Sequence, residues 1–138
     1  NYSEVDSVGN HLFPNMMQAP LGEHQGAGFG WDDVTAYKAG LQWASSPDWT
    51  WRAGYSHANQ PIPESEVLFN ILAPGVIEDH ITAGFSKALP GGNSFNFALM
   101  YALENTVTGS NPMEAPGAQS IELTMDEWEM ELSYTIRF

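Results

Sequence analysis

The chain contains no cysteine. Disulfides, thiol catalysis and thiolate metal sites are therefore excluded, and the sequence suits any redox compartment. Positive charge is nearly as scarce. Lys38, Arg52, Lys87 and Arg137 stand against 17 acidic residues, for a net charge of −13 with His neutral. Affinity for a phosphate backbone comes mostly from Lys and Arg, so nucleic acid is excluded as a partner. No basic patch exists for anionic lipid headgroups either. No apolar run reaches the roughly 18 residues that a membrane helix needs. That leaves transmembrane barrels open, because their strands are short and alternating.

Catalytic signals are also missing. His11, His24, His57 and His80 are dispersed and have no metal-ligand spacing, and no serine sits in a GxSxG context. The glycine-rich stretch at 22–31 lacks both the GxGxxG and the GK[ST] phosphate-binding patterns. The expectation is a non-enzyme with no catalytic residue, no metal ligand and no cofactor.

What is present is one modest domain's worth of chain, 138 residues with 43% hydrophobic against 15% charged content. That balance argues against disorder. The dominant period is two. In 34–44, Tyr37, Ala39, Leu41 and Trp43 alternate with Lys38, Gly40 and Gln42. Alternate side chains of a strand point to opposite sides, so this predicts a strand with one apolar and one polar face. After the turn residues at 45–48, Trp49, Trp51, Ala53 and Tyr55 alternate with Thr50, Arg52, Gly54 and Ser56, predicting a hairpin partner over 49–58. Segments 79–89 and 94–104 repeat the arrangement around Pro90-Gly91-Gly92-Asn93, with Ile81, Ala83 and Phe85 then Phe95, Phe97, Leu99 and Tyr101 on the apolar face. In 121–138, Trp128, Met130, Leu132, Tyr134, Ile136 and Phe138 alternate with Glu127, Glu129, Glu131, Ser133 and Thr135. Residues 2–5 are expected to be the end of a further strand.

The predicted fold is all-β: an antiparallel meander patterned like the strands of a transmembrane barrel. Long connections at 6–33, 58–78 and 105–120 alternate with tight turns, as in outer-membrane barrels with large external loops and short periplasmic turns. Within 58–78, Pro63, Glu64 and Glu66 followed by Val67, Leu68, Ile71 and Leu72 predict a short helix stopped at Pro74-Gly75.

The two faces suggest two environments. Trp43, Trp49, Trp51, Phe85, Phe97, Leu99, Tyr101, Trp128, Tyr134 and Phe138 form an apolar face with aromatic residues near its ends, suited to a lipid bilayer and its interfaces. Lys38, Gln42, Arg52, Ser56, His80, Thr82, Met100, Glu129 and Glu131 form the opposite, lumenal face, with Ala98 and Ala102 making part of it apolar. The acidic run Glu127, Glu129 and Glu131 reads as a solvated face or one paired with Arg52 or Lys38. The alternative is a soluble or surface β-sheet protein that binds or self-associates through the aromatic face.

Several stretches resemble a known family. The openings YSEVDSVGN at 2–10 and GFGWDD at 28–33, the strand YKAGLQW at 37–43, WTWRAGYSHANQPIPES at 49–65, HITAGFSKAL at 80–89 and ELSYTIRF at 131–138 resemble outer-membrane transporters of long-chain fatty acids and other hydrophobic compounds. The resemblance implies a location in the outer membrane, a hydrophobic small molecule as substrate, and a place for this chain in the C-terminal part of a barrel. It also implies that strands and a plug N-terminal to this segment, or other copies of the chain, complete the sheet. Phe138 at the end of the last strand resembles the terminal aromatic assembly signal of such barrels.

Overall fold

The computed structural model describes residues 1–137. It is mostly antiparallel sheet with few helices. Five strands, β1 (Ala36–Ser46), β2 (Trp49–Ala58), β3 (Asp79–Ala88), β4 (Ser94–Ser110) and β5 (Ser120–Thr135), form one meander in that order. The sheet is open rather than closed on itself, and β1 and β5 are its edges. Period-two alternation explains why these segments are strands. Each buries at most one face, and β-branched and aromatic residues fit the pleat.

The hairpin turns are chemically specified. Pro47 and Asp48 alone separate β1 from β2, and Ala88 N–H donates to Asp48 O at 2.8 Å, tying the two tight turns together. Between β3 and β4, Gly91 and Gly92 adopt φ of 77° and 80°, a region that side-chain-bearing residues enter only with strain. The register slips by one residue between Ala44 and Ser46, so the first strand ends in a bulge.

Several boundaries differ from the sequence expectation: β1 begins at Ala36 rather than 34 and includes Ser45 and Ser46, which the sequence places in the turn. The connection expected over 105–120 shortens to 111–119, because Thr106, Val107 and Thr108 continue β4 and Asn111 N–H closes the turn onto Gln119 O at 3.0 Å. Residues 2–5 are not a strand. Val5 N–H bonds back to Tyr2 O at 3.0 Å, and the chain then turns into a helical segment, Asp6–Gly9. The helix in the second loop is a 3-10 turn (Glu64–Glu66) leading into one α turn (Val67–Asn70), with Pro63 extended before it rather than at its first position.

The chain forms two compact units. The sheet unit holds Ala36–Ala58, Glu78–Leu103 and the chain from Asp126 onward. The loop unit holds Asn1–Thr35, Asn59–Ile77 and Glu104–Met125. The long connections are therefore a folded unit with a core of their own. Ile62, Val67, Val76, Val107 and Leu123 are buried together, with Trp31, Ile121 and Met125 against them.

Candidate functional site

In the sheet unit, the paired registers organise the apolar face into rows across the strands. Trp43, Trp51, Phe85 and Phe97 are successive partners on β1 to β4. The Phe85 ring lies 5.4 Å from Trp51 and 5.6 Å from Phe97, and Trp49 stacks on Trp51 at 5.5 Å. Lys87 caps this rim with its ammonium 5.0 Å from the Trp49 ring. The next row is aliphatic: Leu41, Ala53, Ala83 and Leu99. The row beyond it, Ala39, Tyr55, Ile81 and Tyr101, mixes two tyrosines with two aliphatic residues, and Tyr101 stacks on Trp128 at 4.2 Å. At that end the Tyr55 hydroxyl donates to Asp79 Oδ1 at 2.5 Å, and His57 Nδ1 lies 2.9 Å from the same oxygen. Much of this face is uncovered, with Leu41 70% and Leu132 58% exposed.

The opposite face carries the residues expected in a lumen, and the register brings them together. Lys38, Ser56 and His80 share one row with Ala102; Gly40, Gly54 and Thr82 share the next with Met100. In the third, Gln42, Arg52 and Gly84 align with Ala98. Gln42, Arg52, Thr82 and Ala98 of this face line a concavity of about 760 Å³ with Asn96, Glu131 and Ser133, whereas Lys38, Ser56, His80 and Met100 lie outside its lining. Gly84 lets the concave side close up: a Cβ there would sit 2.6 Å from Phe97 O.

Arg52 does not take the carboxylate partner that the acidic run suggested. Its Nε donates to Gln42 Oε1 at 2.9 Å and its NH1 group to Ser86 Oγ at 2.7 Å. Cross-strand neighbours on its own face reach it first. Glu131 shares the concavity, while Glu129 and Glu131 both remain exposed. His80 Nδ1 is enclosed without a hydrogen-bond partner among the described residues. Asn96 Nδ2 donates to Ser133 Oγ at 3.2 Å, which sets Ser133 on the concave face. Tyr134 and Met130 on β5 are exposed. The expectation for Phe138 lies outside the described residues.

The loop unit holds a second feature, only partly legible from residue spacing. Buried Asn70 fastens the first loop to the helical turn. Its Nδ2 donates to Phe29 O at 2.7 Å and Glu66 O at 2.8 Å, and its Oδ1 accepts the Trp31 indole N–H at 2.6 Å. Glu66, also buried, accepts Leu12 N–H at 3.0 Å and lies 2.7 Å from His11 Nδ1. Gly30 is required beside it, since its φ is +67° and a Cβ would sit 2.4 Å from Glu66 Cγ. These bonds hold the first loop against the helical turn. Between them lies an apolar groove of about 480 Å³, walled by Leu12, Phe13, Met16, Leu68, Ile71 and Leu72 among others. Leu68, Ile71 and Leu72 read in sequence as the packing face of a helix; here Leu72 is 74% exposed at the groove.

Electrostatics in this unit are local. Asp33 Oδ1 accepts both the Ser3 N–H at 3.0 Å and the Ser3 hydroxyl at 2.9 Å. These bonds favour the ionised form, so the Asp33 carboxyl sits below its ordinary 3.8. No protein-family model, curated protein or solved structure matches the chain.

Proposed function

We propose that the chain is the C-terminal strand segment of an outer-membrane barrel that takes up hydrophobic compounds, long-chain fatty acids or other apolar molecules. The observation that carries this reading is the order of rows across β1 to β4: a fully aromatic row, then an aliphatic one, then one with tyrosines on β2 and β4. A bilayer asks for that order, because Trp and Tyr are stabilised at the interfaces and aliphatic side chains in between. Strand length agrees. The first three strands have 11, 10 and 10 residues, against the roughly 9–11 a tilted transmembrane strand requires; β4 and β5, at 17 and 16 residues, are longer, and their Glu104–Ser110 and Ser120–Met125 ends belong to the loop unit. The small and polar residues on the concave face suit a lumen, and the sequence resemblance to transporters of hydrophobic compounds supplies the substrate class. Transport needs no covalent step, and no catalytic group is assigned.

Detergent dependence tests this reading. The purified chain should require detergent or lipid to stay folded and dispersed. A monodisperse, folded monomer in plain buffer would overturn it.

A second reading is favoured by one observation: β1 pairs with β2 alone, and the sheet is open at both edges. A free edge of this kind invites another strand. In a soluble or surface protein, self-association through the edge and the aromatic face would satisfy both. In a membrane, the same edges have to be completed by further barrel strands, because an unpaired edge cannot lie in hydrocarbon.

A further inference from the structure

All four Lys and Arg residues belong to the sheet unit, and the loop unit has none. Ten of the 17 carboxylates are in the loop unit. Its two histidines are both engaged: His11 with Glu66, and His24 with Asp6. The apolar groove therefore belongs to a unit with ten carboxylates and no Lys or Arg. Every residue lining it is apolar, from Leu12 and Phe13 to Met16, Leu72 and Met113. Its volume of about 480 Å³ falls within the roughly 300–1,000 Å³ of small-molecule sites.

From these observations we propose that the groove binds a small uncharged hydrophobic molecule and rejects hydrophobic anions. A carboxylate or sulfonate head group loses hydration on entry, and no side chain in the wall can replace the lost hydrogen bonds. The unit's carboxylates repel it in addition. A neutral hydrocarbon or arene incurs neither cost, and gains from covering Leu21, Leu72 and Met113, which are 63%, 74% and 73% exposed. Methionines at the mouth suit ligands of varied shape, since the thioether chain is flexible and polarisable. The inference deepens the uptake reading by choosing among its substrates: the loop unit favours neutral compounds over fatty-acid anions. It depends on that reading for the groove's purpose, though not for binding itself.

A matched pair of probes tests it. N-phenyl-1-naphthylamine is neutral, and 8-anilinonaphthalene-1-sulfonate has the same skeleton with a sulfonate. Each is titrated into the full chain in zwitterionic detergent, read by the ε-methyl resonances of Met16 and Met113, with Met100 on the sheet's concave face as an internal reference. The neutral probe should shift Met16 and Met113 saturably and leave Met100 unmoved, while the sulfonate should be weaker. Leu72→Lys places a cation at an exposed position and should raise sulfonate affinity relative to the neutral probe by about tenfold, an effect that shrinks with salt. Leu72→Gln keeps the position polar without charge and should weaken the neutral probe without that reversal. Equal shifts from both probes, no shift from the neutral one, or an unchanged ratio in Leu72→Lys would overturn the proposal. So would Met16 and Met113 resonances that move with protein concentration alone, since a second copy would then cover the groove. Saturable neutral binding by a chain that proves soluble without detergent would retain the site and remove the membrane reading. A membrane-dependent chain without binding would do the reverse.

Discussion

Asn70 Oδ1 accepts the Trp31 indole N–H at 2.6 Å, joining residues 39 positions apart in the loop unit. The same side chain donates to Phe29 O and Glu66 O, so one buried amide uses its acceptor and both donor directions. Removing it strands a buried indole N–H and two carbonyls. Asn70→Ala should therefore cost the loop unit about 1–3 kcal/mol. Denaturant titration followed by the Trp31 indole resonance would measure it. Asn70→Asp, which keeps the acceptor and loses the donors, should fall between wild type and Asn70→Ala.

The Ser3–Asp33 contact gives a pH dependence with a defined sign. The folded-state pKa of Asp33 is lowered by hydrogen bonds from Ser3 N–H, then from the Ser3 hydroxyl. A lowered folded value means the bonds contribute fully above the unfolded value, near 3.8, and are lost as pH falls through the folded one. Protection of the Ser3 amide from exchange, relative to its intrinsic rate, should hold from neutral pH downward and be lost only well into acid. In Asp33→Asn that acid-dependent loss should vanish. Protection at Ser3 that falls between pH 7 and 5 would contradict the assignment.

Two glycines on the same face of the sheet should respond differently to a methyl group. At Gly84 a Cβ would meet Phe97 O at 2.6 Å, whereas at Gly40 the nearest atom is Ala53 O at 3.8 Å. Gly84→Ala should be destabilising by about 1–3 kcal/mol as the backbones are forced apart. Gly40→Ala should be neutral or slightly stabilising, because alanine loses less entropy on ordering. Thermal unfolding of both variants under the same conditions would show the difference.

Period two made the sheet readable. Trp43, Trp51, Phe85 and Phe97 fall on one face by counting alone, and the register then aligns them in one row. The end of β4 was less legible. Asn105, Gly109 and Ser110 look like loop residues, and only pairing with β5, seen where Thr106 and Thr124 hydroxyls meet at 2.8 Å, keeps the strand going. The Asn70 and Glu66 fastenings leave no local signature, because their partners lie 39 to 55 positions away. The groove is not legible for a related reason. Leu68, Ile71 and Leu72 carry helical spacing, which predicts burial, but spacing does not say whether anything fills the facing side.

Leu99 sits in the aliphatic row between the fully aromatic row and the one with tyrosines, opposite Ala83. Leu99→Arg in the complete barrel should lower folding stability in bilayers by about 2–4 kcal/mol, the cost of a cation near the midplane. Thr82→Arg, on the concave face, should cost much less. Equal costs at the two positions would show that neither face meets lipid.

In the proposed barrel the face of the sheet that carries Phe97, Leu99 and Tyr101 on β4 and Trp128 on β5 lies against hydrocarbon. The absence of cysteine allows single cysteines to be placed along β4 without background. Phe97→Cys, Leu99→Cys and Tyr101→Cys, and in separate chains Asn96→Cys, Ala98→Cys and Met100→Cys, would each carry a small fluorophore in a bilayer containing nitroxide-labelled lipid. The account predicts strong quenching at 97, 99 and 101 and weak quenching at 96, 98 and 100. Uniform quenching, no quenching, or alternation of the opposite phase would contradict it.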